Sequence, residues 1–390
     1  MADSPKVPVF ISLIPWLMQG EGHIIPYHQA VGRAVHLLGW EHWVLLPKHS
    51  PDHLFPQQYS CLADADLEAE GSFWEKLGRG KGVRQLAISI ADFFHQHPEL
   101  KSRPKIIFIE RFIHLQLLAL TLALWLMPIE HLQVWLFYRR DDQKRVLYKK
   151  LNQLIKWRLG SQNVRFLTDS EPLQILLGDY FTETFTVMPI PHTNVTLPEP
   201  LTITKPWGEI IAWWAGSPRE EKGWDIMRRL VKTPIKGLEN ITLVVAQTSQ
   251  LVAHPQGFKL QLIADKLSRE DYHQWLWLSD FILIPYDSQA YRERTSGVFT
   301  ECIIAGKIPL VTPHTWMAQA LEKYDLTDLI LDWDEPQAVG DRLLRLKQDV
   351  KIQAKLAKMQ QDFQTFHQET TYAQKLASLY QRADELIEIA

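Results

Sequence analysis

Cysteine is nearly absent. Among 390 residues only Cys61 and Cys302 occur, far apart and outside any CxxC spacing. That excludes a disulfide framework and a cysteine-based zinc site, and it fits a reducing compartment. An excess of one charge is lacking too: 42 Lys and Arg stand against 45 Asp and Glu, a formal net charge of −3. Nothing in that balance points to a nucleic-acid partner. A secretory leader is also missing from the expectation. "MADSPKVPVFISLIPWLMQGEG" has Asp3 in place of a basic start, Pro8 and Pro15 in its apolar stretch, and no small-residue cleavage site. Long apolar runs are lacking as well. The best span candidate, residues 106–127, is interrupted by Glu110, Arg111, His114 and Gln116. Its clean part falls short of the about 20 residues a span requires. A strand at 106–110 and a buried helix at 112–127, ended by Pro128, is the economical reading. Repeats and low-complexity tracts are absent. A cytoplasmic protein is expected.

What is present is ordinary globular material, 46% apolar and 22% charged, in a chain long enough for about two domains. Short apolar runs alternate with helical patterns: "VPVFISLI" (7–14), a helix over 23–40, "EHWVLLP" (41–47), then a polar, acidic stretch at 62–70. A helix over 82–97 follows, then the strand and helix of 106–127, "LQVWLFYR" (132–139), a helix over 142–159, and short strands at 164–170 and 185–190. Strands that are apolar throughout, alternating with helices, predict a parallel sheet covered on both faces. Five prolines between 188 and 209 then mark a linker, since helices and central strands both avoid them. Alternation resumes with "EIIAWWAG", a helix over 221–233, "ITLVVAQ", "FKLQLIA", a helix capped by Ser268 with Asp271, "FILIPY" and "KIPLVT". From about 336 the chain reads as charged helix with no further strand. The expectation is two doubly wound α/β halves with a hinge and a helical tail.

Ligands of open parallel sheets bind outside the carboxyl ends of the strands, where helix N-termini present N–H groups. Four stretches occupy such positions. "QGEGHIIPY" places Gly20 and Gly22 between a first strand and its helix; an ordinary turn is the plainer reading, with His23 capping or packing. "AGSPREEKGWD" sets Gly216, Arg219 and Lys222 beside a helix start, a diphosphate site unless Glu220 and Glu221 neutralise it. "AYRERTSGVFTECIIAG" carries Glu293 on a loop, Thr295, Ser296 and Gly297 at a helix start, and Glu301 one turn further. That makes a second phosphate cradle, with Glu301 either serving the helix dipole or accepting from a ribose diol. In the helix over 142–159, Leu147, Tyr148, Leu151, Leu154 and Ile155 share one face and Arg145, Lys149 and Lys156 lie opposite. A packed helix with a solvated face is the plainer reading; a basic face toward an anionic membrane is the sharper one.

The run "RERTSGVFTECIIAGKIPLVT" resembles the donor-binding signature of GT-B glycosyltransferases of the retaining family 4 type. There a loop glutamate, a Gly-containing helix start and a helical glutamate precede A-G-x-P-x-V, met here with one extra residue before the proline as Ala305 to Val311. "AGSPREEKG" resembles that family's G-R-x-x-x-x-K-G segment, and Gly20 and Gly22 its N-domain glycine loop. The resemblance implies two Rossmann-like domains facing a central cleft: an acceptor domain at 1–190, a linker at 191–206, a donor domain at 207–365, and a helix at 366–390 packing back toward the first domain. It implies that Lys222 and Arg219 stabilise the leaving phosphate and Glu293 contacts the sugar. Gly216, Ser217, Thr295, Ser296, Gly297, Val298 and Glu301 would bind the donor, Glu301 through the ribose. Gly20, Gly22, His23, Glu110 and Arg111 would line the N-domain side.

The implied activity is a metal-independent, cofactor-free transfer of sugar from a nucleotide sugar to a carbohydrate or lipid-linked acceptor, within carbohydrate metabolism. A nucleotide-sugar epimerase or hydrolase, or an inactive binding protein, stands as the alternative. Peripheral membrane contact would run through residues 144–159. Three departures stand out. Ser217 occupies the place of the family's Arg, "PHTWM" replaces a Gly-Gly turn and would put His314, Thr315 and Trp316 at the sugar pocket, and "FIERF" stands where a His-containing segment is common.

Overall fold

The computed structural model describes residues 7–17, 24–64, 67, 73–193, 195, 210–235 and 237–384. They fall into two compact units, Met1–His192 with Gln368–Ala390, and Thr193–His367. The first runs β1 (Val9–Leu13), α1 (Ile24–Leu37), β2 (Glu41–Pro47), β3 (Gln58–Leu62), α2 (Phe73–Gln96), β4 (Lys105–Glu110), α3 (His114–Leu126), β5 (Leu132–Phe137), α4 (Val146–Leu159), β6 (Val164–Thr168), α5 (Glu171–Phe181) and β7 (Phe185–Val187). All seven strands pair in parallel, in the order β3-β2-β1-β4-β5-β6-β7. Strands β1, β4 and β5 are buried along their whole length, because helices cover both faces of the sheet.

The second unit runs β8 (Ile210–Trp213), α6 (Trp224–Lys232), β9 (Ile241–Ala246), β10 (Lys259–Ile263), α7 (Arg269–Leu278), β11 (Phe281–Ile284), α8 (Gly297–Ile304), β12 (Ile308–Val311), α9 (Trp316–Glu322), α10 (Pro336–Leu346) and α11 (Val350–Phe366). Its five strands are again parallel, ordered β10-β9-β8-β11-β12. The last helix, α12 (Glu369–Asp384), belongs to the first unit and packs beside α1. Both sheets therefore reverse strand order once, between β1 and β4 and between β8 and β11. Loops that leave neighbouring strands at such a reversal diverge to opposite faces, which opens a crevice at their carboxyl ends.

The elements depart from the sequence reading at several points, among them α5, a helix between two expected strands where none was expected. The polar run "QYSCL" forms β3, a half-buried edge strand that its composition conceals. Helix α2 begins at Phe73, well before 82, and continues through "GRGKG" although each glycine costs a helix about 1 kcal/mol against alanine. "PHTWM" opens a helix: His314 takes a left-handed φ of 61°, and Thr315 caps α9 by accepting from the Ala318 amide. Trp316 then turns into the core and meets Phe299 edge-on at 5.6 Å, so packing accounts for it and for Thr315. Last, Leu147 and Leu154 of α4 face outward, while Tyr148, Leu151 and Ile155 are buried as expected. Where a cap was expected, Ser268 accepts from the Asp271 amide and its hydroxyl donates to the Asp271 carboxylate.

Candidate functional site

At the strand-order reversal of the second unit, the segments after β8 and β11 are locked together. Gly223 has φ +80, and a Cβ there would collide with the Pro285 carbonyl at the end of β11. Only glycine allows that approach. The Asp287 amide donates to the Glu221 carbonyl at 3.0 Å, and Trp214 Nε1 donates to the Lys222 carbonyl at 3.1 Å. Lys222 is thereby fixed from both sides. Its ammonium lies 5.8 Å from the Tyr286 ring centroid, and a methyl group on Gly216 (φ +92) would sit 3.0 Å from it.

Charge accumulates around this lysine. Arg219 lies 3.6 Å and Arg294 3.5 Å from the two carboxylate oxygens of Glu221. Arg294 also stacks over the Tyr291 ring at 4.7 Å. Three cations thus surround one carboxylate. Burial, with Arg219 and Arg294 adding to it against Glu221, pushes the Lys222 ammonium down to about 8. An environment that costly for a cation is relieved by an arriving anion.

The second expected cradle adjoins the first. The Tyr286 hydroxyl is hydrogen-bonded to the Ser296 side chain and senses the charges of Arg219 and Glu221. Ser296 caps α8, accepting from the Phe299 amide at 3.2 Å, and its carbonyl accepts from the Thr300 amide. In this first turn the N–H groups of Gly297 and Val298 have no acceptor within the helix, as for any helix start. Nothing lies within 4 Å of the place a Gly297 Cβ would take. Thr295 and Glu293 are half-buried on the loop before the helix. Glu301 is buried one turn on, where one carboxylate oxygen accepts from the Tyr272 hydroxyl at 2.6 Å.

Gly216, Lys222, Arg219 and Ser296 are therefore brought to one place, with the start of α8 beside them. Ser217 is exposed. Sequence reasoning left Arg294 without a role and passed over Tyr286 and Tyr272. Tyr286 carried a usable signal, as the last residue of an apolar strand run; Tyr272 sits in a helix and carried none. Gly20, Gly22 and His23 lie outside the described residues, as does most of 191–206. No group of three or more His, Cys, Asp or Glu among the described residues is placed to hold a metal ion.

In the first unit a different arrangement fills the ends of the strands. Glu110 closes β4 and is buried, with Oε2 accepting from Arg139 Nε at 2.6 Å and Oε1 lying 3.4 Å from His28 Nε2. Arg139 also pairs with Asp169 at 3.0 Å and stacks over Tyr27 at 4.6 Å. His28 and His42 share the Ser12 hydroxyl, at 3.1 and 2.9 Å. Burial alone would raise the Glu110 carboxyl; Arg139 and His28 outweigh it and hold the group down to about 2. Glu110 is thus an anchor of a buried network across β1, β4 and the segments after β5 and β6. Arg111, with φ 47°, instead lays its guanidinium over the Trp16 ring at 4.8 Å.

Solved structures resemble this chain almost from end to end. Sucrose-phosphate synthase from Thermosynechococcus elongatus matches 99% of it and 100% of its own length, with a TM-score of 0.65 at 14% identity. The fold is GT-B. Anabaena HepE, solved in complex with UDP-glucose, shares this GT-B fold over 96% of this chain and 99% of its own, at a TM-score of 0.58 and 12% identity. A putative UDP-N-acetylglucosamine 2-epimerase from Listeria monocytogenes covers 97% of both chains, at 0.59 and 13%. At these identities the likeness is one of GT-B fold alone. No protein-family model and no curated protein sequence matches the chain. No described helix is long and apolar enough to cross a membrane.

Proposed function

We propose that the chain is a glycosyltransferase that moves a sugar from a nucleotide-sugar donor to a carbohydrate or lipid-linked acceptor. The observation that carries this reading is the convergence of Arg219, Lys222 and Arg294 beside the Ser296-capped start of α8. Breaking a glycosyl–phosphate bond leaves an anionic nucleotide, and preorganised cations at the place where that charge develops lower the barrier. Lys222 stabilises the leaving diphosphate, and the two guanidiniums flank it. The Gly297 and Val298 amides receive the phosphate oxygens. Glu301, oriented by Tyr272, accepts from the ribose hydroxyls, and Glu293 from those of the sugar. With the charge supplied by side chains, the transfer requires no bound metal. We assign it retention of anomeric configuration by the resemblance of residues 292–312 to retaining enzymes.

Titration of the chain with UDP, GDP and ADP, followed by turnover of the corresponding nucleotide sugars, tests the reading. One nucleotide should bind tightly, and Lys222→Ala and Glu301→Ala should each abolish transfer while the protein stays folded. Wild-type rates in both variants would sink it. The fold shared with a putative epimerase supports a second reading, a nucleotide-sugar epimerase or hydrolase. Donor supplied without acceptor separates the two: a transferase gives slow hydrolysis only, an epimerase an equilibrium of epimers.

A further inference from the structure

The outer face of α3 and α4 is apolar where a solvated helix pair would be polar. Leu122, Trp125 and Leu126 on α3 are exposed, as are Val146, Leu147, Leu154 and Trp157 on α4, with Trp157 at 76% and Trp125 at 42%. The helices lie side by side, and Arg158 Nε ties them by donating to the Leu124 carbonyl at 2.9 Å. Across that seam the Trp125 and Trp157 indoles stack, with centroids 6.0 Å apart and planes 27° from parallel. Leu147, Lys150, Leu154 and Trp157 follow one line along α4, the face opposite its buried side. Exposed tryptophan is costly unless something covers it.

The basic residues are distributed differently from the sequence expectation. Lys149 donates to the Tyr180 carbonyl at 2.9 Å and Lys156 pairs with Glu183 at 2.5 Å, so both are committed inside the unit. The exposed cations around the apolar line are Lys150, within it, and Arg140, Lys144 and Arg145 at its N-terminal edge, opposed by Asp141 and Asp142. Four cations against two carboxylates make this face locally basic in a chain of net charge −3.

We infer that this face docks on an anionic lipid bilayer. Trp125 and Trp157 sit at headgroup depth, where indoles are favoured, and the exposed leucines enter the acyl boundary. Lys150, Arg140, Lys144 and Arg145 meet lipid phosphates. Charge selects a bilayer over a second copy of the chain. A two-fold interface centred here would bury Lys150 and oppose one basic rim to another.

The full-length chain, without nucleotide, is centrifuged with vesicles of mixed phosphatidylglycerol and phosphatidylcholine, and with phosphatidylcholine alone. It should sediment with the anionic vesicles and be released by salt. The Trp125→Ser/Trp157→Ser double variant should lose at least about tenfold in partitioning, and Lys150→Gln about fivefold at low salt. These side chains are exposed, so an unchanged thermal midpoint verifies that both variants remain folded. Wild-type protein left in the supernatant, or variants that sediment as it does, would overturn the inference. So would a concentration-dependent dimer in analytical ultracentrifugation that the double variant dissolves. Nucleotide is absent from the assay, so its outcome is independent of the transferase reading.

Discussion

Lys222 is a cation kept where burial and two guanidiniums disfavour one, and that sets its pH behaviour. Burial comes first, Arg219 and Arg294 add to it, and the ammonium titrates near 8. Below that pH it is charged and attracts a phosphate; as pH rises through about 8 it loses its proton and the attraction. Nucleoside diphosphate affinity should therefore fall from pH 7 to pH 9, and binding near pH 8 should take up a proton. Calorimetry in two buffers of different ionisation enthalpy measures both, and Lys222→Arg should flatten the profile. Glu110 has the opposite sign. Its carboxyl is held at about 2 against an ordinary 4.5, so its stabilising contribution is complete above 4.5 and is lost as pH falls through about 2. Glu110→Gln should cost on the order of 3 kcal/mol in urea unfolding at pH 7, because the half-buried Arg139 is left with one partner fewer, and should flatten the acid limb of the stability curve.

Among elements, the loops after β8 and β11 act as one unit because Gly223 lets one backbone rest on the other. Gly223→Ala adds a Cβ at positive φ against the Pro285 carbonyl, so the two loops must separate. Nucleotide affinity should fall at least about tenfold with its loss of oriented cations, and the thermal midpoint should fall as well because the added Cβ is strained at positive φ. Ser296→Ala removes the cap of α8 and should cost about 1 kcal/mol. Chemical denaturation measures that, and a variant as stable as the parent would remove Ser296 from the structural account.

The whole molecule is built from two sheets of one plan, and the first is completed by the end of the chain. On α12, Tyr372, Ala373, Leu376 and Leu379 are buried in the first unit, and the Tyr372 hydroxyl hydrogen-bonds that of Tyr27 at 2.9 Å. Each large apolar side chain lost there removes roughly 1.5–3 kcal/mol. Ending the chain at His367 should therefore unfold the first unit at lower urea than the second, read by limited proteolysis. Two coincident transitions at wild-type positions would contradict this.

The sequence determined the local pieces. A strand buried on both faces must be apolar along most of its length, so "VPVFISLI", "IIFIE" and "LQVWLFYR" announced parallel sheets and, with the helices between them, an α/β chain. Ser268 and Ser296 announced helix starts, since a hydroxyl before a helical run serves the first free amides. Polar β3 and the glycine-bearing start of α2 escaped, because neighbours rather than composition hold them in place. Only the tertiary structure decided which pieces meet. Strand order brings Arg219 and Lys222 to Arg294, sets Tyr286 on Ser296 and puts Tyr272 on Glu301, pairings between distant segments that no local period encodes. Packing on one side alone likewise chose which leucines of α4 are buried and left Leu147, Leu154 and Trp157 facing outward.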